Sequence, residues 1–212
     1  MPRRSLSATY RLQLRGPDAD PHGRSFTFAD SKAIVPYLNE LGVSHLYLSP
    51  ILTAPSSSNH NYDVIDPTEV NPALGGREGF EELAQAAHEE GLGIIIDIVP
   101  NHLGIDVPKD NPWWWDVLTS GEESRFNSYF DIDWSPGNGA DGKLGIPVLG
   151  SPDDVNAITI VPVDEDNAPA HVEGSGEPCR FLLDYYGNYF PVRPGTEGDD
   201  PLDVLSKQRY AL

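Results

Sequence analysis

Basic residues, cysteines and long apolar runs are all scarce in this chain. Fourteen Lys and Arg stand against 33 Asp and Glu, a formal net charge of -19. A surface that acidic repels phosphate backbones and anionic lipid, which argues against nucleic-acid and membrane-surface roles. A neutral solute such as a sugar stays compatible with it. One cysteine, Cys179, leaves no partner for an intrachain disulfide, and that suits a reducing compartment. No apolar stretch is long enough to span a bilayer. The twin arginine Arg3–Arg4 has no apolar segment behind it, so it is not read as an export signal. The expected location is the cytoplasm.

What is present is ordinary globular composition over 212 residues, 39% hydrophobic and 22% charged, enough for one large domain or two small ones. "TYRLQL" (9–14) alternates Tyr10, Leu12 and Leu14 against Arg11 and Gln13, as a strand does. A helix is expected over 27–42. Thr27 with Asp30 resembles a capping box, Ile34, Leu38 and Leu41 share a face, and Gly42 fits the stop. Pro36 must kink that helix or lie near its true start. "VSHLYLSPIL" (43–52) reads as a second strand, and 56–76 as a long polar loop. A clear helix over 77–91 follows, with Phe80, Leu83, Ala84 and Ala87 on one face. "LGIIIDIV" (92–99) is the third strand. Near-continuous apolar strands between amphipathic helices predict a parallel sheet covered on both faces.

Past His102 the pattern changes to short apolar segments set in Pro, Gly, Asp and Glu, read as a β-rich lobe. Gly187–Asn188 fits a hairpin turn, and the stretch from Asp200 can begin another helix. A doubly wound nucleotide-binding sheet needs a glycine-rich phosphate turn after its first strand. "RGPDADPHG" has neither GxGxxG nor P-loop spacing. The remaining fold with successive strand–helix units is the (β/α)₈ TIM barrel, whose sites lie on the loops after its strands. The polar clusters "NHNYD" and "PNH" fall there. A whole barrel needs about 250 residues, so this chain is expected to supply its first three strand–helix units. The expected division is 1–105 partial barrel, 106–200 inserted β-rich lobe and 201–212 the start of a following helix.

Within "IIIDIVPNH" (94–102), Asp97 interrupts an apolar strand. A carboxylate so placed costs several kcal/mol unless paired, on the order expected for buried charge. Two readings are open: a structural partner holds it, or the strand delivers it to a site. The stretch "DIVPNH" resembles the first signature of the α-amylase superfamily (glycoside hydrolase family 13), Asp-x-x-x-Asn-His at the end of the third barrel strand. "SHLYLSPIL", "NHNYDVIDP", "NPALGG", "WWWDVL" and "YFDIDW" resemble one branch of it that isomerises the reducing-end linkage of maltooligosaccharides from α-1,4 to α,α-1,1.

The resemblance implies a retaining double displacement with an aspartate nucleophile and a glutamate acid/base. The family carries these, and a third carboxylate, after later strands. No residue of this chain is nominated for them; they are expected beyond Leu212. The resemblance also implies that Tyr62, Asp63 and His102 bind substrate, the tyrosine through its ring face. Asp97 would brace the catalytic arginine and aspartate of a fourth strand, and Asn101 would tie the third strand to the lobe. Asn61 stands where the family usually has glycine, and asparagine tolerates the left-handed backbone such a turn needs. His60 is read as a solvated loop residue. The run Trp113–Trp115 is read as core packing with one exposed face, or as a sugar platform. Cys179 is read as a small buried residue. No metal and no cofactor are expected. The expected partner is a maltooligosaccharide. Another α-glucan hydrolase or transglycosylase, or a non-catalytic maltodextrin-binding or remnant fragment, are the competing readings.

Overall fold

The computed structural model describes residues 5–20 and 22–212; Arg3 and Arg4 lie outside them. The chain divides into two units, Met1–Gly104 and Ile105–Leu212.

The first unit is built on three parallel strands. β1 (Thr9–Leu12) leads to α1 (Phe28–Ala33) and α2 (Val35–Glu40), then to β2 (His45–Leu48). β3 (Leu52–Thr53) pairs antiparallel with β4 (Asp66–Val70) inside the stretch expected to be loop. The third parallel strand, β5 (Gly93–Ile96), follows α3 (Gly76–Glu89). The sheet order is β1-β2-β5. Leu12, Leu46 and Leu48 lie on one face and pack with Phe28, Val35, Leu38, Leu83 and Ala87 of the helices. Each such leucine, taken from water, contributes roughly 1.5–3 kcal/mol. The expectation of a sheet covered on both faces is corrected here: the leucine core lies on one face, and the other carries polar side chains.

Three local expectations also change. The helix over 27–42 is two helices, broken at Ile34, because Pro36 has no N–H to donate into an unbroken turn. The break leaves Leu41, expected in the core, 54% exposed. The third strand ends at Ile96 rather than Val99, and Ile98 is 67% exposed. At the start of α1 the Asp30 carboxylate accepts the Thr27 N–H at 2.8 Å, as the capping box requires.

The second unit holds less strand than its sequence implied. α4 (Pro112–Ser120) carries the tryptophan run, and Asn111 Oδ1 caps it by accepting the Trp114 N–H at 3.0 Å. All three tryptophans are under a tenth exposed, so neither an exposed face nor a sugar platform exists there. At about 100° per residue, three successive side chains cover most of a helix that is buried all round. Trp113 meets Tyr129 edge-on at 5.5 Å, Trp114 meets Phe130 at 4.9 Å, and Trp115 packs with Leu182 and the buried Cys179.

β6 (Leu144–Gly145) is followed by an antiparallel sheet of β7 (Thr159–Pro162), β8 (Phe181–Tyr185) and β9 (Asn188–Pro191). The hairpin turn is Tyr186–Gly187, one residue earlier than expected, with Tyr185 paired to Asn188. Both turn residues take positive φ, 50° and 83°, the twist that suits flanking strands. The last helix, α5 (Pro201–Ser206), stops within the chain. It gives way to β10 (Tyr210–Ala211), parallel to β6, so 201–212 is not the start of a longer helix.

Candidate functional site

The polar face of the three-stranded sheet follows from its register. Arg11 pairs with Tyr47, and Tyr47 with Ile95. Side chains alternate between faces, so Arg11, Tyr47 and, two residues past Ile95, Asp97 all point away from the leucine core. The Asp97 N–H donates to the Leu48 carbonyl at 3.0 Å, which holds Asp97 in line beyond the end of β5.

Oδ2 of Asp97 accepts three hydrogen bonds: from Arg11 Nη1 at 3.2 Å, from the Tyr47 hydroxyl at 3.1 Å, and from the Tyr62 hydroxyl. Arg11 Nη2 also donates to the Tyr62 hydroxyl oxygen at 2.8 Å, and the guanidinium sits 4.8 Å from the Tyr47 ring centre. The Asp97 side chain is 21% exposed. The Tyr62 hydroxyl above all, with Tyr47 and Arg11, holds the Asp97 carboxyl below its usual range against the opposing effect of partial burial. The same contact pushes the Tyr62 phenol up, partial burial adds to it, and Arg11 opposes it. Asp97 therefore has structural partners, and one of them, Tyr62, is itself a predicted site residue.

The loop carrying Tyr62 is braced from within. Asn61 adopts φ 58° and is buried, so asparagine does occupy the left-handed position where the family usually has glycine. Its amide donates to the Leu14 carbonyl at 3.3 Å, and its oxygen accepts from Asn71 Nδ2 at 3.2 Å. The Ser58 hydroxyl donates to Asp63 Oδ1 and accepts the Asn61 N–H at 3.0 Å. Asp63 thus ties one oxygen into the loop. His60 Nδ1 accepts the Tyr62 N–H at 3.0 Å. That nitrogen therefore bears no proton, and its 3.6 Å approach to Asp63 is not an ion pair. His60 shapes the turn as well as meeting solvent.

His102 Nε2 lies 2.9 Å from the Tyr62 carbonyl. A carbonyl only accepts, so Nε2 carries a proton, and the neutral form of the ring then has Nδ1 as its acceptor. Asn101 is exposed. The structure thus brings Tyr62, Asp97 and His102 together, with Asp63 in the adjoining loop. Among the described residues no group of three or more His, Cys, Asp or Glu is placed to hold a metal ion.

Sequence reasoning did not single out Arg11 and Tyr47. The signal was present in the alternation of "TYRLQL", which places Arg11 opposite the leucines, but it becomes a contact only through the parallel register. Chemically, the cluster is an ionised carboxylate saturated at one oxygen, a tyrosine ring fixed through its hydroxyl, and an exposed imidazole acceptor.

A family description, the catalytic domain of α-amylase, matches residues 32–149, more than half of the chain. The chain belongs to the α-amylase family. Within that family it resembles the maltooligosyl trehalose synthases over nearly its whole length. It is 53% identical over 206 residues to a putative maltooligosyl trehalose synthase of Mycobacterium tuberculosis, covering 97% of this chain and 24% of that one. It is also similar to the solved structure of maltooligosyltrehalose synthase from Arthrobacter ramosus, at 44% identity and a TM-score of 0.78, covering 97% of this chain and 23% of that one. A hypothetical maltooligosyl trehalose synthase from Sulfolobus tokodaii gives 35% and 0.75, covering 99% and 25%. These likenesses make the strand–helix unit the N-terminal part of a TIM-barrel-type catalytic domain. The chain spans about a quarter of the length of the relatives it matches.

Proposed function

We propose that this chain forms one wall of the sugar site of a (1→4)-α-D-glucan 1-α-D-glucosylmutase, a maltooligosyltrehalose synthase of cytoplasmic trehalose synthesis. The observation that carries this reading is the Asp97 cluster at the ends of the parallel strands, with Tyr62 fixed on it and His102 beside it. The reaction converts the reducing-end α-1,4 linkage of a maltooligosaccharide to α,α-1,1. Tyr62 offers its ring face to a glucosyl unit, His102 Nδ1 accepts a sugar hydroxyl, and the oxygen of Asp63 not bonded to Ser58 takes a second hydroxyl.

Asp97 is neither nucleophile nor acid in this reading. A retaining displacement needs two carboxylates about 5–5.5 Å apart. Among the described residues, Asp97 Oδ2 is instead committed to three donors. The nucleophile and acid/base belong to later strands of the enzyme. A released glucose is held and turned so that its anomeric hydroxyl, not water, attacks the glycosyl-enzyme.

The test has two arms. Incubated with maltopentaose, the 212-residue chain is expected to form no trehalose-ended product; turnover would sink the placement of the catalytic carboxylates elsewhere. Maltotriose is expected to perturb the Tyr62 and His102 signals in a proton–carbon NMR spectrum, and unmoved signals count against the sugar site.

A further inference from the structure

Arg11 is exposed to about a third, carries a full positive charge in a strongly acidic chain, and yet faces the Asp97 cluster rather than a surface acid. Its two terminal nitrogens have different tasks. Nη1 donates to Asp97 Oδ2 at 3.2 Å, while Nη2 donates to the Tyr62 hydroxyl oxygen at 2.8 Å. A phenol has one proton. With its oxygen accepting from Arg11, the Tyr62 hydroxyl can only turn its proton to Asp97, as it does. The guanidinium carbon lies over the Tyr47 ring, 4.8 Å from its centre, and Tyr47 donates to the same carboxylate oxygen.

We propose that Arg11 is a positioning residue that fixes the direction of the Tyr62 hydroxyl proton and so locks the tyrosine ring against Asp97. The inference rests on the sugar-site reading above, in which the ring face is what a glucosyl unit meets. Two consequences follow from the geometry. The Tyr62 hydroxyl is not offered to the sugar; the ring alone is. And because all three donors converge on Oδ2, Oδ1 of Asp97 keeps its acceptor capacity for a further partner. A fork is needed because one donor group must reach a carboxylate and a phenol oxygen together, which a guanidinium does in one plane.

The experiment labels the nine tyrosines with ¹³C at Cζ and assigns Tyr62 by its loss in Tyr62→Phe. In an equal mixture of H₂O and D₂O a slowly exchanging hydroxyl splits its own Cζ line. The Tyr62 line is expected to be split in the parent chain and to merge in Arg11→Met, with the amide fingerprint otherwise kept. If Arg11→Met does not fold, Arg11→Gln is read the same way. A Tyr62 line that stays split in a folded Arg11 variant overturns the proposal. The second arm measures maltotriose affinity. Arg11→Met and Tyr62→Phe should each weaken it about tenfold, and the double variant no more than either alone, as residues acting through one contact do. Additive losses would overturn positioning through the hydroxyl. Absence of sugar binding in the parent chain would refute the sugar-site reading alone, because the splitting arm still decides what Arg11 does.

Discussion

Asp97 is tolerated in an apolar strand because three donors converge on it, and its behaviour is measurable. Asp97→Asn removes the charge that Arg11 faces and leaves one amide oxygen for three donors. It should cost about 1–3 kcal/mol, read as a shift in the urea midpoint. A stability equal to the parent's would show that the cluster is not held by the carboxylate. The same group sets a pH dependence. Its folded pKa lies below the ordinary 3.8, so between the two values the unfolded chain binds more protons and stability rises with pH. The contribution is complete above 3.8 and is lost as pH falls through the lowered folded value. The stability difference between parent and Asp97→Asn should therefore shrink as the solution is taken from pH 6 to pH 3. A difference that does not change with pH contradicts the assignment. Of these partners, Tyr62 and Asp97 could be read from their motifs, whereas Arg11 and Tyr47 could not, because nothing local marks them as neighbours.

The loops after the strands depend on close backbone approach. A β-carbon on Gly104 would lie 2.6 Å from the Asp63 carbonyl oxygen, which no rotamer change relieves. Gly104→Ala must push the segment bearing His102 away from the loop bearing Tyr62. A loss of about 1–3 kcal/mol in thermal or urea stability is expected, as for overpacking. The His102 contact to the Tyr62 carbonyl should loosen with it, seen as faster exchange of the imidazole N–H; an unaltered signal counts against the coupling. Asn61 separates two effects. Asn61→Gly keeps the left-handed backbone but loses the bonds to Leu14 and Asn71. Asn61→Ala loses both, so it should be the less stable of the two by about 1–2 kcal/mol. Equal midpoints would mean the positive φ carries no strain. Strand and helix periodicity made most of these elements legible, but their ends were not. Pro36 split a helix at a residue the pattern ran through, and the hairpin turned at Tyr186, a residue with no turn preference, because the pairing of Tyr185 with Asn188 required it.

Net charge acts on the whole chain at once. With 33 acidic and 14 basic residues, self-repulsion opposes the compact state and salt screens it. The thermal midpoint should rise between 10 mM and 300 mM NaCl, ionic strengths across which the Debye length shrinks from about 30 Å to well under 10 Å. A midpoint that falls would mean that favourable ion pairs, not repulsion, dominate. The second unit was the less legible part. Its sequence reads as short strands, yet a nine-residue helix carrying three tryptophans is central to it. Consecutive aromatics have no single period, so only the packing partners, Tyr129, Phe130, Cys179 and Leu182, make the helix evident.

The order of strands and helices, the left-handed turn at Asn61 and the presence of a charge inside an apolar strand are local facts, carried by hydrophobic period, backbone preference and residue type. The α-amylase family came from the resemblance of "DIVPNH" and its companion stretches, and the family match over residues 32–149 bears it out. Which donors meet Asp97 is not local. Arg11 and Asp97 lie 86 residues apart, and only the parallel register of β1, β2 and β5 aligns them on one face. The aspartate in "IIIDIVPNH" needed partners on physical grounds. Folding supplied them from a strand at the other end of the unit and from the loop that holds Tyr62.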